Sequence, residues 1–163
     1  MTDLAPGAAP PITIIGPPLP RDAAGPAAMD GPPRAVWNPG FAMSKTIVHA
    51  DDSASVRRWV AEQISDPDLK VISVADGQAA LRVLRESPCD LLLTDLEMPN
   101  LDGLGLVAAV RELPMHRFLP VLVLSSHEPG EFDPQLRHGI TGWLVKPIEP
   151  ESLRRWIRRL LPR

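Results

Sequence analysis

The chain has 163 residues, a net charge of -3, one cysteine and 20 prolines. That length accommodates one domain with a tail, and the charge offers no broad basic field for nucleic acid. The lone Cys89 excludes a disulfide framework within the chain. No apolar run approaches the roughly 18 residues needed to span a bilayer, and Asp3 with no basic run beside it argues against a secretory leader, so a cytoplasmic location without membrane insertion is expected.

Residues 1–42 hold ten of the 20 prolines and five of the 11 glycines. Pro plus Gly is then about 36 % of the segment, above the level that signals low complexity without a core. We read 1–42 as a disordered Pro/Ala/Gly-rich tail: a linker, a docking segment around Pro17-Pro18-Leu19-Pro20, or sequence upstream of a true start at Met43-Ser44-Lys45. Residues 43–163 form the domain.

From there, strands and helices alternate. Residues 45–50 read as a buried strand. Ser53 caps a helix carrying Val56, Trp59, Val60 and Ile64, which Asp66-Pro67-Asp68 stops. A strand at 69–74 and a helix after Asp76-Gly77 follow, then a short strand, Asp90 to Thr94. Next come a helix near 103–112, a strand at 119–124, a weak helix near 131–138, a strand at 141–145 and a helix at 150–161. Pro129, Gly130 and Pro134 interrupt the weak helix, and 127–139 reads equally as loop. The alternation predicts an α/β fold: a doubly wound, five-stranded parallel sheet with helices on both faces.

In such sheets ligands bind at the carboxyl ends of the strands. Past the first strand stand Asp51 and Asp52, past the third Asp95, past the fourth Ser125 and Ser126, past the fifth Lys146 and Pro147. Two carboxylates 4 Å apart repel by about 4 kcal/mol at an effective dielectric of 20. Three on one rim therefore call for a proton or a hard cation, and oxygen ligands with open positions suit Mg²⁺. With the metal and Lys146 balancing charge, one carboxylate can attack a phosphoryl group. An aspartate at one strand end is usually a cap; the joint placement at four strand ends carries the inference. His49 and Cys89 read as packing residues, His116 and His138 as solvated.

Three motifs, Ala50-Asp51-Asp52-Ser53, Thr94-Asp95-Leu96-Glu97-Met98-Pro99-Asn100-Leu101-Asp102-Gly103 and Gly142-Trp143-Leu144-Val145-Lys146-Pro147, resemble those of the response-regulator receiver domain. The resemblance covers 44–163, and within the family the chain looks in particular like the stand-alone, CheY-like chemotaxis regulators of flavodoxin-like fold. It implies a switch in two-component signal transduction rather than an enzyme with a released product. Asp95 is then the acceptor for a phosphoryl group from a sensor histidine kinase. Asp52, Asp95 and the backbone carbonyl of Glu97 are the Mg²⁺ ligands, with Asp51 acting through water. Lys146 pairs with the phosphoryl oxygens and a cis peptide precedes Pro147. Ser125 and Trp143 are the hydroxyl and aromatic of the switch, the ring leaving solvent as Ser125 moves. Glu97 and His127 stand where the family tunes dephosphorylation.

The implied partners are the kinase, a phosphatase and a downstream target on the face of the fourth helix, fifth strand and last helix. That last helix carries Arg154, Arg155, Arg158 and Arg159 on its outer side. No effector is expected after Arg163, so output is expected through protein contacts. Two other readings are weighed. Asp95-Leu96-Glu97 faintly resembles the Asp-x-Asp signature of haloacid dehalogenase-like phosphatases, but there the other acidic residues follow the nucleophile and a cap domain is usual. A degenerate receiver acting as a constitutive interaction module is opposed by the intact set Asp51, Asp52, Asp95, Ser125 and Lys146.

Overall fold

The computed structural model describes residues 44–161. The expected disordered tail, 1–42, lies outside them. The elements run β1 (Lys45–Ala50), α1 (Ala54–Gln63), β2 (Leu69–Val74), α2 (Gly77–Glu86), β3 (Leu91–Thr94), α3 (Gly103–Arg111), β4 (Val121–Ser125), β5 (Gly142–Val145) and α4 (Pro150–Leu160). All strand pairs are parallel, in the order β2-β1-β3-β4-β5.

Strand alternation divides the core. Ile47, Leu91, Leu93, Leu122 and Leu124 pack under α1 and α4, against Val60, Ile64 just past the end of α1, Leu153, Trp156, Ile157 and Leu160. Val48, Leu92, Val121 and Val123 point the other way, against Ala80 and Leu84 of α2 and Leu106, Val107 and Val110 of α3. A fully buried side chain of this size contributes about 1.5–3 kcal/mol, so the two faces hold the sheet between them.

Local chemistry sets the helix starts. The side chains of Ser53, Asp76 and Asp102 accept from the N–H groups of Val56, Ala79 and Gly105, and Pro150 opens α4 at a position where its missing donor costs nothing. The Ala79 N–H and the Asn100 amide hold the Asp76 carboxyl below its usual range. Asp90 ties the entry of β1 to that of β3, accepting from Thr46 N–H at 2.8 Å and facing the Lys45 ammonium at 3.6 Å.

The helix expected near 131–138 does not form. Pro129–Glu131 is one 3-10 turn, and turns carry the chain to β5. Pro134 has no N–H to give to a preceding turn, and the Asp133 carboxylate takes the Gln135 N–H at 2.8 Å in a local turn. Gly139 then adopts φ 91°, and its carbonyl accepts from Arg111 of α3. Four α-helices, two per face, thus cover the described sheet. His116, expected in solvent, is instead 2 % exposed, with Nε2 3.1 Å from the Ser87 carbonyl. Cys89 donates to the Leu91 carbonyl at 3.1 Å, and burial pushes its thiol up to about 11, an inert packing thiol.

His49 is fully buried in β1, and neither ring nitrogen has a partner. Burial, then the charges of Lys146 and Arg57, lower its pKa to about 4. In the unfolded chain a histidine titrates near 6.5, so the unfolded state binds the extra proton between these values. The contribution of neutral His49 is fully present above about pH 6.5 and is lost as pH falls toward 4, at about 1.4 kcal/mol per pH unit. His49→Val removes both the proton and the two orphaned nitrogens. Thermal melts should show the variant gaining several degrees over the wild type at pH 5 and clearly less at pH 7; equal gains at both pH values would exclude His49 as an acid-labile element.

Candidate functional site

β1 and β3 lie side by side where the strand order turns back, and the residues past their carboxyl ends meet. Asp51, Asp52 and Asp95 each offer a carboxylate oxygen within 4.8 Å of the others. Asp51 is fully buried, Asp95 is 8 % exposed and Asp52 is exposed. From the end of β5, Lys146 reaches across β4 and β3, its Nζ 3.4 Å from Asp51 Oδ2 and 3.3 Å from Asp95 Oδ2. The peptide between Lys146 and Pro147 is cis.

Each buried carboxylate is oriented by its own backbone. Asp51 Oδ1 accepts from Ser53 N–H at 2.8 Å, which turns the chain into α1, and Oδ2 faces Lys146. Asp95 repeats the pattern: Oδ1 accepts from Leu96 N–H at 2.7 Å and Oδ2 faces Lys146. Burial pushes the Asp51 carboxyl above its ordinary range, and neighbouring Asp95 adds to this, against the Ser53 N–H and the Lys146 charge.

Gly103 fixes the floor below Asp95. A Cβ there would lie 2.2 Å from the Asp95 carbonyl oxygen, so only glycine lets α3 start this close. Its N–H donates to the Leu96 carbonyl at 2.9 Å, closing the loop after β3. At the loop's tip Asn100 takes φ 67°, a region asparagine tolerates, and its amide bonds Asp76 at 2.8 Å.

Ser125 ends β4, fully buried, and its Oγ accepts from His127 N–H at 3.1 Å. Trp143 was expected at the surface, ready to move inward. The structure corrects this: the ring is 3 % exposed, and its indole N–H donates to the His127 carbonyl at 2.9 Å. Because turns replace the expected helix, Phe132 is free to lie against it, ring centres 5.5 Å apart, with His127 edge-on to Phe132. The His127 ring also bridges Glu97, at 3.2 Å, and Glu131, at 3.1 Å. Bonds to Glu131 and then Glu97 raise its pKa. Glu97 itself is exposed and, with Asp102, His127 and Glu131, forms the polar lining of a cleft of about 390 Å³ whose apolar side is Leu96, Met98, Leu104 and Phe132.

Asp51, Asp52, Asp95 and Lys146 therefore share one rim, while Ser125 and Trp143 are joined through the backbone of His127. Two participants have no role in the sequence reading. Phe132 gave no signal, because the segment containing it had no legible periodicity. Arg57 did give one: it sits four residues after the cap Ser53, on the helix side that faces back to the Asp51-Asp52 loop.

The response regulator receiver domain family matches residues 47–158. The chain is 36 % identical over 129 residues to the cyclic di-GMP phosphodiesterase response regulator RpfG of Xanthomonas campestris pv. campestris (strain 8004), covering 77 % of this chain and 34 % of that protein. It thus spans about a third of RpfG's length. To the two-component response regulator ORR11 of Oryza sativa subsp. indica it is 30 % identical over 118 residues, 71 % of this chain and 80 % of that one. Among solved structures it is similar to the chemotaxis response regulator CheY4 of Vibrio cholerae, with TM-score 0.67 and 34 % identity, covering 72 % of this chain and 98 % of that one.

The burial of Trp143 depends on Phe132. Phe132→Ala should open the solvent side of the indole and speed exchange of its N–H by about tenfold, the equivalent of about 1.4 kcal/mol of lost protection. Hydrogen exchange followed on the indole N–H resonances tests this, with Trp156 on the opposite face of the sheet as control. An unchanged Trp143 rate would mean that the β5 backbone alone holds the ring.

Proposed function

The chain belongs to the response-regulator receiver-domain family, and from that premise we propose that it is a phosphorylation-dependent switch with Asp95 as its phosphoacceptor. The observation that carries this reading is the convergence of Asp51, Asp52 and Asp95 within 4.8 Å, with Lys146 at 3.3 Å from Asp95. Membership of this family sets aside the haloacid dehalogenase-like phosphatase. The meeting of Asp51, Asp52, Asp95 and Lys146 on one rim, with Ser125 at the end of β4, argues against a degenerate module.

The donor we propose is the phosphohistidine of a sensor kinase. An Asp95 carboxylate oxygen attacks phosphorus, the P–N bond breaks, and its electron pair returns to the imidazole, which takes up a proton. Lys146 faces the attacked side and neutralises phosphoryl oxygens as they arrive. The donor set fits Mg²⁺: three carboxylate oxygens, hard ligands, on an accessible rim. Asp52 and Asp95 would hold the ion, with the Glu97 carbonyl, and Asp51 through water. When bound it supplies charge neutralisation for the carboxylates and the transferring group.

The product is a changed conformation. A phosphoryl group brings a charge of about -1.5 to -2 and three acceptor oxygens. Ser125 Oγ, which now accepts from His127, would turn to donate to one of them. His127 N–H then loses its acceptor, and the His127 carbonyl carries the shift to Trp143. With the ring already inside, the readable change falls on the 127–139 segment, β5 and α4 rather than on a ring leaving solvent. Similarity to a chemotaxis response regulator supports output through protein contact on that face. Among the described residues no helix is long and apolar enough to cross a membrane, and the role proposed here is a cytoplasmic one. Glu97 and His127, paired at the mouth, would set how easily water or a phosphatase reaches the acyl phosphate.

Asp95→Asn removes the nucleophile and one ligand charge. Incubated with acetyl phosphate and Mg²⁺, the wild type should give a phosphorylated species in intact-mass spectra and the variant none. Equal phosphorylation of the variant would move the acceptor elsewhere.

A further inference from the structure

Arg57 lies in the second turn of α1 and turns back over the loop that precedes the helix. Its Nη1 donates to the Asp51 carbonyl at 2.7 Å and to the Asp52 carbonyl at 3.0 Å. Those two carbonyls belong to the peptide planes on either side of the Asp52 Cα. Pinning both planes leaves φ and ψ of residue 52 little freedom, and these angles set where its side chain leaves the backbone.

This matters because Asp52 is held in no other way that Asp51 and Asp95 are. Their carboxylates are each fixed by a backbone N–H and by Lys146. The Asp52 carboxylate is exposed and accepts no hydrogen bond among the described residues. It nonetheless reaches within 4.8 Å of the other two.

From this we propose that Arg57 is a positioning residue for the cation site, aiming the Asp52 carboxylate at the ion through the two carbonyls. The proposal rests on the reading of the acidic rim as a Mg²⁺ site. Its electrostatic sign makes it testable. A fixed positive charge beside a cation site repels the cation, so if charge were the whole of its influence, removing Arg57 would tighten Mg²⁺ binding. Loss of positioning acts the other way, since outer partners of metal ligands typically govern affinity by tenfold or more.

The test is calorimetric titration of the full-length chain with MgCl₂ alone. Arg57→Met keeps the apolar stem and removes the charge. It should bind Mg²⁺ about tenfold more weakly than the wild type despite that removal. Arg57→Lys keeps the charge without the planar fork and should fall between the two; it also carries the comparison if the methionine variant does not fold by circular dichroism. In an Asp52→Asn background, Arg57→Met should no longer weaken binding, because the carboxylate being aimed is gone; only the charge repulsion is left to lose, so affinity should stay level or rise slightly.

Mg²⁺ binding to Arg57→Met as tight as or tighter than to the wild type, or an undiminished weakening in the Asp52→Asn background, would overturn the proposal while leaving the site reading intact. Unchanged affinity in Asp52→Asn alone would instead overturn the site reading, and the role of Arg57 with it.

Discussion

Three carboxylates crowd one point at the ends of β1 and β3, and Lys146 is the ammonium that reaches two of them. Much of the described structure serves that crowding. The parallel sheet places both strand ends on one side, and the turning point of the strand order puts them next to each other. Gly103 lets α3 begin directly against Asp95. The loop after β1 is tied by an N–H from Ser53 on one side and by Arg57 on the other. Burial of Asp51 among like charges is unfavourable in isolation, and its raised pKa is the direct expression of that cost. A site strained in this way has a stronger response to an added cation or phosphoryl group than a relaxed one.

The second organising feature is the backbone of His127. Its N–H and its carbonyl bond the two residues expected to form the switch, Ser125 and Trp143. Its ring joins Glu97 of the loop after β3 to Glu131 of the 3-10 turn. A shift of Ser125 therefore has a covalent route to the 127–139 segment, whose output would have rested on a regular helix had one formed. Turns with internal bonds, such as Glu128 N–H to Glu131 and Gln135 N–H to Asp133, rearrange at less cost than a packed helix.

The fold and the acidic rim were legible because they depend on chain order and strand ends. The alternation of elements gave the sheet, and four strand ends gave Asp51, Asp52, Asp95, Ser125 and Lys146 before any contact was known. Two of the failures, Trp143 and His116, have a common physical cause: each depended on what packs across a gap. The exposure of Trp143 could not be read because Phe132, which covers it, lies in a segment without periodicity. His116 looked solvated because its partner, the Ser87 carbonyl, is 29 residues away along the chain. The weak helix failed where local bonds of Asp133 and the missing donor of Pro134 outweighed propensity. Arg57 was visible as an arginine on α1, but its acceptors are backbone carbonyls, which a sequence does not display.

A count of charges joins these features. Two of the three carboxylates face the ammonium of Lys146, and the guanidinium of Arg57 lies on the carbonyls of Asp51 and Asp52. His49, beneath the same loop, adds nothing at neutral pH, because burial and those two cations hold it near 4. The rim therefore keeps an excess of negative charge. On the reading proposed here, a donor bringing a charge of about -1.5 to -2 must approach that excess. Asp51, already pushed toward protonation by its burial, would shed some of the repulsion only by giving up its ionic contact to Lys146. Asp51, Asp52 and Asp95 holding a divalent cation would be relieved of the repulsion without that loss, and Lys146 would then be free to turn from the carboxylates to the incoming phosphoryl oxygens.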